Sequence, residues 1–546
     1  MVATFREFRR TPVGVAAGND NCPVTTSSSR DSLADPRDGL SEKCGLDSGF
    51  SWMASCLSGG TTRFVWPVRY GQNPGGDGVR HGWNKATVIL SLVALCGVSM
   101  DSDASGSPPP PNVLLIMTDD MGWSDLHCQG NAKLHTPNVD ALARQGVRFT
   151  DAYAAAPVCS PTRAAVITGL APARLNITQH GADGPQFWPE GRAIQPPPAD
   201  HILKHETVTL AERLHSAGYH TGFFGKWHLS GTRVRKNDPS TGGAGFYPDR
   251  HGFEINVGGC GFGGPPTYFD PFRIPTIKPR KDGEYLTDRL ADEAIAWMRL
   301  SKDRPMFVCL WTYNPHYPFE APEALVEKYK GREGRGLKNP IYGGQIEATD
   351  RAVGRVLDEV NRLGIADRTV VIFTSDNGGW SGATDNRPLR SGKGDLFEGG
   401  IRVPLIVRWP GITRSGVIVR EPVISMDLTA TVLDAAAVKL SAKETLDGRT
   451  LRPLLAGRKI KPRSLFFHYP HFAWHKSNRP GAAVRSGDDK LILRFDDNSV
   501  ELYDLAADIG ERNNLAQKKP KLAATLRGQL DAWLVETGAR RPTPRK

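Results

Sequence analysis

Short apolar runs that end in polar residues are the feature that most restricts the fold of this chain. Residues 112–118, 306–312 and 369–375 are dominated by apolar and β-branched side chains. Runs of this length and composition are typical of strands that are buried on both faces of a sheet. Further segments of strand character occupy residues 147–153, 219–224 and 403–407.

Segments of helical character separate these runs. They occupy residues 136–146, 207–218, 286–300, 342–363 and 425–438. Gly at the end of a periodic segment, as at Gly146 and Gly218, suits the end of a helix. The alternation over residues 112–455 therefore predicts an α/β domain with a large mixed, mostly parallel central sheet flanked by helices.

The pattern changes after Arg463. Residues 482–485, 490–494 and 500–505 predict short strands in a meander, and residues 522–536 predict a closing helix. We therefore expect residues 456–546 to form a smaller α+β domain with an antiparallel sheet and a helix. A chain of 546 residues is long enough for two such domains.

The first 111 residues differ from the rest of the chain. Residues 1–84 are rich in Ser, Gly, Asp and Arg without periodicity, which indicates a disordered segment or a gene start set too early. A basic flank and an apolar run then predict a signal peptide at residues 85–99, too short to span a bilayer, and a linker at residues 100–111. The chain is thus expected to be exported to the periplasm or outside the cell. A buried strand is the alternative, and Cys96 faintly suggests a lipid anchor.

The charge of the chain favours anionic partners. The formal net charge is +11, and a basic surface attracts nucleic acid, anionic lipid or a sulfated glycan. Nucleic acid is not expected, because no basic run with interleaved aromatic residues is present. Charge that serves only solubility is the alternative.

Polar side chains follow four of the predicted strands, and Lys393 lies on a nearby loop. Because the carboxyl ends of strands in an open α/β sheet form its ligand-binding edge, we expect these side chains to meet there. Carboxylate and amide oxygens suit Ca²⁺ or Mg²⁺, lysines suit a tetrahedral anion, and histidines transfer protons near neutral pH. Each residue taken alone could equally be a solvated side chain. The residues are Asp119, Asp120, Lys226, His228, His316, Asp376, Asn377 and Lys393.

Cys159 is expected at the start of a helix. Ser160 and Pro161 suit an N-cap and a first helical position, and an apolar helix interior follows. A helix N-terminus favours negative charge, whether on a thiolate or on a bound oxyanion. Arg163, on the same face, could hold an anion or orient residue 159. A cysteine nucleophile and structural burial both remain open, whereas Cys309 in its apolar run is expected to be a buried hydrophobe.

Residues 157–169 resemble the signature of the sulfatases, Cys-x-Pro-x-Arg followed by an apolar run and Thr-Gly. The similarity covers about residues 111–510 and implies membership of the alkaline-phosphatase-like superfamily. It implies that Cys159 is converted to formylglycine by a formylglycine-generating enzyme, and that the hydrated aldehyde is the nucleophile. The implied ligands of Ca²⁺, with Mg²⁺ as the alternative, are Asp119, Asp120, Cys159, Asp376 and Asn377.

The resemblance also implies roles for the basic residues. Arg163 would support residue 159, and Lys226 and Lys393 would bind the sulfate. His316, with Lys393, would protonate the leaving alcohol, and His228 would take a proton so that sulfate can leave. The implied activity is that of an arylsulfatase-type sulfuric ester hydrolase.

The substrate of this activity is expected to be a sulfated carbohydrate. Candidate contacts lie in residues 245–285 and 468–475, where His471 could bind a sugar. The second segment could equally be part of the core of the small domain. A phosphoesterase of the same superfamily and a non-catalytic protein that binds sulfated glycans are the competing functions.

Overall fold

A mixed sheet of nine strands forms the centre of the part of the chain that the structure describes. This structure is a computed structural model that describes residues 109–181, 188–231, 242–473 and 478–545. The predicted extension, signal peptide and most of the linker lie outside these residues. None of the described helices combines the length and the apolar composition that crossing a bilayer requires.

The strands of the central sheet follow the predicted apolar runs closely. They are β1 (Asn112–Thr118), β2 (Val147–Tyr153), β4 (His220–Gly225), β5 (Ile255–Val257), β6 (Met306–Trp311), β7 (Thr369–Ser375), β8 (Arg402–Arg408), β9 (Val417–Val419) and β10 (Val423–Ile424). Between β2 and β4 comes β3 (Ile194–Gln195), which pairs with a strand near the C-terminus. The short strands β3, β5, β9 and β10 were not predicted, because two or three residues carry no measurable periodicity.

The order of the sheet is β10-β2-β8-β7-β1-β6-β4-β5, with β9 paired to β2. β1 is parallel to both β6 and β7, and β4 is parallel to β6. β8 runs antiparallel to its neighbours β7 and β2. The predicted fold, a large mixed and mostly parallel sheet with helices, is therefore confirmed.

The helices also lie close to their expected positions. They are α1 (Pro137–Gln145), α2 (Cys159–Thr168), α3 (Pro172–Leu175), α4 (Leu210–Ser216), α5 (Leu286–Ser301), α6 (Glu323–Glu327), α7 (Pro340–Arg362), α8 (Glu398–Ile401), α9 (Met426–Ala435), α10 (Arg452–Leu455) and α11 (Pro520–Glu536). α4 begins later than expected, because Thr209 and Glu212 form a capping box at its start.

The apolar runs are continuous because both faces of the central sheet are covered. In β1, Leu114 and Ile116 belong to one buried cluster, whereas Val113, Leu115 and Met117 belong to another. Successive side chains of a strand point to opposite faces, so each face receives alternate residues of the run. Because both faces of the sheet are apolar, polar side chains can come together only at the ends of its strands.

The C-terminal sheet has four antiparallel strands. They are β11 (Ser464–Tyr469), β12 (Gly481–Ser486), β13 (Asp489–Arg494) and β14 (Val500–Asp504), and the final strand β15 (Thr543–Pro544) pairs with β3. One face of this sheet packs on residues that include Phe397 and Ile401, and α11 covers the other. The predicted meander and closing helix are confirmed, but β11 was missed. The boundary of an independent domain at residue 456 stays a prediction.

Candidate active site

Four neighbouring strands bring the predicted polar residues to one edge of the sheet. Asp119 and Asp120 follow β1, while Asp376 and Asn377 follow β7, its parallel neighbour in register. Lys226 and His228 follow β4, and His316 follows β6. Because β7, β1, β6 and β4 are consecutive in the sheet, their carboxyl ends place these side chains together.

The acidic residues form one buried cluster. The backbone N–H of Asp120 donates to Asp376 Oδ1 (3.2 Å), and Asn377 Nδ2 donates to Asp120 Oδ1 (2.8 Å). Ligand atoms of Asp119, Asp120, Cys159 and His316 all lie within 4.8 Å of one another. Asp119 Oδ1 and Asn377 Oδ1 are buried without a hydrogen-bond donor. Buried oxygens that lack donors fit a divalent cation bound between them.

Two lysines pair with the aspartates of this cluster. Lys226 Nζ lies 2.6 Å from Asp119 Oδ2, and Lys393 Nζ lies 2.8 Å from Asp120 Oδ2. Lys226 and Asp119 are fully buried, and Lys393 is nearly so. The site therefore holds fixed positive charge beside the carboxylates, as binding of an oxyanion requires.

The two aspartates respond differently to this environment. Burial raises the pKa of Asp119 to about 8, although Lys226 opposes the shift. Burial also acts to raise the pKa of Asp120, but Lys393 and His316 outweigh it and hold that pKa well below its usual range. A bound cation would favour the charged form of both carboxyl groups.

Cys159 is the first residue of α2, as predicted, but Ser160 is not the N-cap. The N-cap residue is Val158, and no side chain caps the helix. Ser160 Oγ instead donates to the carbonyl oxygen of His228 (2.8 Å), because this buried helix start packs against the loop after β4. The prediction for Ser160 was wrong, and its hydroxyl connects two parts of the site.

The thiol of Cys159 is fully buried. Burial raises its pKa to about 12, and the positive charges of Lys226 and Lys393 only partly oppose this. The thiol is therefore protonated near neutral pH, despite its position at a helix N-terminus. This disfavours the interpretation of Cys159 as a thiolate nucleophile, since the thiolate is the reactive form. Cys309 is fully buried in β6, as expected.

Arg163 pairs with the acidic cluster. Its Nε donates to Asp376 Oδ2 (2.9 Å), and its Nη1 donates to the carbonyl oxygen of Lys226 (2.7 Å). The guanidinium also lies over the ring of Trp311, 5.5 Å from its centroid. These contacts show that Arg163 fixes the position of Asp376 and of the loop after β4.

His228 and His316 complete the group. The backbone of His228 is left-handed, with a φ of 58°. The turn is held by a hydrogen bond from the His228 N–H to the carbonyl oxygen of Cys260 (3.0 Å). His316 Nδ1 donates to the carbonyl oxygen of Tyr317 (2.6 Å), which leaves Nε2 facing Asp120 Oδ2 at 3.7 Å. Burial, with a neighbouring lysine, lowers the pKa of both imidazoles well below their ordinary value.

A pair of glycines that was not singled out lies against both histidines. A Cβ on Gly263 would lie 2.9 Å from the His228 ring, and a Cβ on Gly264 would lie 2.8 Å from His316 Nδ1. The cluster of glycines at residues 258–264 is the signal that could have indicated a close approach of backbone to the site.

His471, the remaining candidate, is buried with 2% exposure. Its Nε2 lies 2.8 Å from Thr178 Oγ1, so it joins the C-terminal part of the chain to the segment after α3. Its role in binding substrate stays a prediction. Trp474 and His475, beside it in the sequence, lie outside the described residues.

Comparison with known proteins identifies the family. A family model for sulfatases matches residues 111–438. The chain belongs to the sulfatase family. It is accordingly a sulfuric ester hydrolase, and a second family model, for the C-terminal part of N-sulphoglucosamine sulphohydrolase, matches residues 392–537.

Individual relatives of this sulfatase cover most of the chain. It is 30% identical over 498 residues to a sulfatase of Formosa agariphila, across 79% of this chain and 89% of that protein. It is 32% identical over 393 residues to N-acetylgalactosamine-6-sulfatase of Mus musculus, across 67% of this chain and 70% of that protein. The crystal structure of Ps i-CgsB in complex with k-i-k-neocarrahexaose matches 78% of this chain and 93% of that chain, with a TM-score of 0.65 and 26% identity.

Proposed function

We propose that this sulfatase hydrolyses a sulfate ester of a sulfated carbohydrate and also accepts aryl sulfates, with formylglycine at position 159 and a bound Ca²⁺ or Mg²⁺. The observation that carries the proposal is the meeting of residue 159, the oxygen cluster and two buried lysines at one sheet edge. Relatives named for a sulfated sugar and a structural neighbour that holds an oligosaccharide support the carbohydrate class.

The ligands of the cation would be Asp119, Asp120, Asp376, Asn377 and residue 159. The two buried oxygens without donors, on Asp119 and Asn377, support this assignment. The all-oxygen set of carboxylates and an amide favours Ca²⁺, with Mg²⁺ as the alternative. A cation bound here would neutralise charge on the sulfate oxygens.

Residue 159 would supply the nucleophile. A buried, protonated thiol is a poor one, which supports conversion of Cys159 to formylglycine by a formylglycine-generating enzyme. The hydrated aldehyde offers a hydroxyl group at the N-terminus of α2, where backbone N–H groups and the helix dipole favour developing negative charge.

The basic residues would bind sulfate and move protons. Lys226 and Lys393 hold fixed positive charge for the sulfate oxygens, and Arg163 holds the aspartates in place. His316 Nε2 faces the site and would donate a proton to the leaving alcohol, with Lys393 beside it. The negative charge of bound sulfate offsets the burial and the lysines that hold the pKa of His316 low in the free enzyme. His228 would take the proton that allows sulfate to leave.

We also propose that the enzyme is exported. The basic flank and the apolar run at residues 85–99 support this.

The first test is the mass of the tryptic peptide of residues 149–163 from protein made in its native host. Formylglycine at position 159 is expected. That protein should hydrolyse 4-nitrophenyl sulfate in preference to 4-nitrophenyl phosphate. Cys159→Ala should fold with an unchanged circular dichroism spectrum and show no turnover, and an active Cys159→Ala protein would refute the mechanism. Preference for the phosphate would instead indicate a phosphoesterase.

A further inference from the structure

The accessible side of the active site lies at His316. Asp119, Cys159, Arg163 and Lys226 have no exposed surface. The His316 side chain is 20% exposed, more than the 7% of its neighbour Asp120. The sulfate group must enter this buried cluster, so the alcohol half of the substrate has to remain on the side of His316.

Two exposed aromatic side chains adjoin this opening. Phe262 is 38% exposed and Tyr317 is 64% exposed, the highest values of any Phe, Tyr or Trp in the part of the chain that the structure describes. Large aromatic rings are normally buried, so their exposure at an active site indicates a binding surface.

Both residues adjoin backbone that contacts the histidines. Tyr317 follows His316 directly, and its carbonyl oxygen accepts the hydrogen bond from His316 Nδ1 (2.6 Å). Phe262 precedes the two glycines that lie against His228 and His316. A Cβ on Gly264 would lie 2.7 Å from the carbonyl oxygen of Tyr317, so the two segments are in direct contact.

The Tyr317 ring packs against a row of aromatic rings. Its ring meets Phe319 edge to face, with centroids 5.9 Å apart. Phe319 in turn stacks on Trp380 at 5.5 Å and an interplanar angle of 6°. Trp380 comes three residues after Asn377, so this row is anchored next to the acidic cluster. Support of this kind fixes the ring and lowers the entropic cost of binding against it.

We propose that Phe262 and Tyr317 form the subsite for the alcohol half of the substrate and bind a sulfated pyranose by contact with its apolar C–H face. The proposal rests on the proposed sulfatase function. Aromatic side chains offer a flat apolar surface with little conformational entropy to lose. Gly263 and Gly264, which follow Phe262 in the chain, add polar backbone groups beside the histidines. Polar groups next to aromatic rings suit a sugar, whose hydroxyl groups surround a small apolar face.

The test compares sugar sulfates with inorganic sulfate. Phe262→Ala and Tyr317→Ala are expected to raise KM for N-acetylgalactosamine 6-sulfate and galactose 6-sulfate at least tenfold, with kcat changed less than threefold. Inhibition by inorganic sulfate should be unchanged, because it occupies only the buried cluster. Tyr317→Phe, which keeps the ring, should have the KM of the wild type. Leu300→Ala, which removes an exposed side chain elsewhere, is the control and should also have the KM of the wild type.

The outcomes separate this subsite from the activity itself. An unchanged KM in both alanine variants overturns the subsite while the sulfatase function stands. The same holds if the wild-type protein cleaves 4-nitrophenyl sulfate but neither sugar sulfate. Cleavage of estrone sulfate in place of the sugars, with a KM that depends on the rings, would assign them to a steroid and also overturn the proposal. Failure to cleave any sulfate ester refutes the proposed function together with the subsite.

Discussion

Gly263 shows how a single residue without a side chain can matter to the active site. It lies against His228, and a Cβ at this position would come within 2.9 Å of the imidazole. Contacts this short force the ring to move, because backbone holds the glycine in place. A displacement of about 1 Å can lower the rate about a hundredfold when it affects a reacting group.

Gly263→Ala is therefore expected to lower kcat by one to two orders of magnitude and to leave the melting temperature almost unchanged. The rate with 4-nitrophenyl sulfate and a thermal melt measure the two effects. Gly245→Ala is the matched control, because a Cβ there meets nothing within 4 Å. Full activity in Gly263→Ala would show that His228 has room to adjust.

The proposed metal site can be tested at the same scale without measuring activity. Excess calcium chloride should raise the melting temperature of chelator-treated protein, since a ligand that binds only the folded state stabilises it. Asn377→Ala removes a buried oxygen that lacks a donor, so it should reduce this rise. Asp303→Asn, at an exposed position, should respond like the wild type. An equal calcium response in Asn377→Ala would exclude this amide as a ligand.

At the scale of an element, β11 contains a buried histidine that makes stability depend on pH. His468 is 2% exposed, and its Nε2 donates to the carbonyl oxygen of Arg540 (3.0 Å). Burial lowers the pKa of His468 from 6.5 to about 4; the Arg540 carbonyl opposes the shift and Arg541 adds to it. The folded state therefore keeps the ring neutral, whereas the unfolded state takes up a proton below pH 6.5. The unfolding free energy is at its full value above pH 6.5 and decreases as the pH falls towards 4.

His468→Gln keeps a donor for Arg540 but cannot titrate. The wild type should lose about 2 kcal/mol more unfolding free energy than the variant between pH 7 and pH 5, as a shift of this size implies. Urea unfolding at the two pH values measures the difference. Parallel losses in both proteins would show that His468 does not carry the effect.

For the whole molecule, the C-terminal sheet holds the loop that carries Lys393. Lys490 of β13 lies 2.9 Å from Glu398 Oε1 and 2.8 Å from Glu511 Oε1, and all three side chains are fully buried. Asn478 Nδ2 donates to the carbonyl oxygen of Gly394 (2.6 Å) on the same loop. The position of Lys393, which is proposed to bind sulfate, thus depends on a part of the chain that supplies none of the predicted metal ligands.

Lys490→Met would leave the buried carboxylate of Glu511 without its cation and Glu398 with Arg402 as its remaining ion-pair partner. Loss of one partner of a buried ion pair typically costs about 3–5 kcal/mol, so a large fall in the melting temperature is expected by calorimetry. Lys461→Met, at an exposed position, should melt like the wild type. Unchanged melting of Lys490→Met would show that the carboxyl groups are neutral in the folded protein.

Sequence alone determined the six longer strands of the central sheet and the members of the polar group. Strands buried on both faces need unbroken apolar runs, so β1, β6 and β7 could be read directly, and the polar residues after them had to meet where parallel strands end. Pro161 and the apolar run that follows it placed residue 159 at the start of α2, although Ser160 does not cap this helix.

Only the tertiary structure decided the contacts between segments far apart in the chain. Ser160 binds the His228 carbonyl instead of capping α2, His228 adopts a left-handed turn, and Gly263 lies against its ring. The ion pairs of Lys490 were likewise not predicted. Such contacts depend on how loops without periodicity pack against one another, and no local pattern of side chains records that packing.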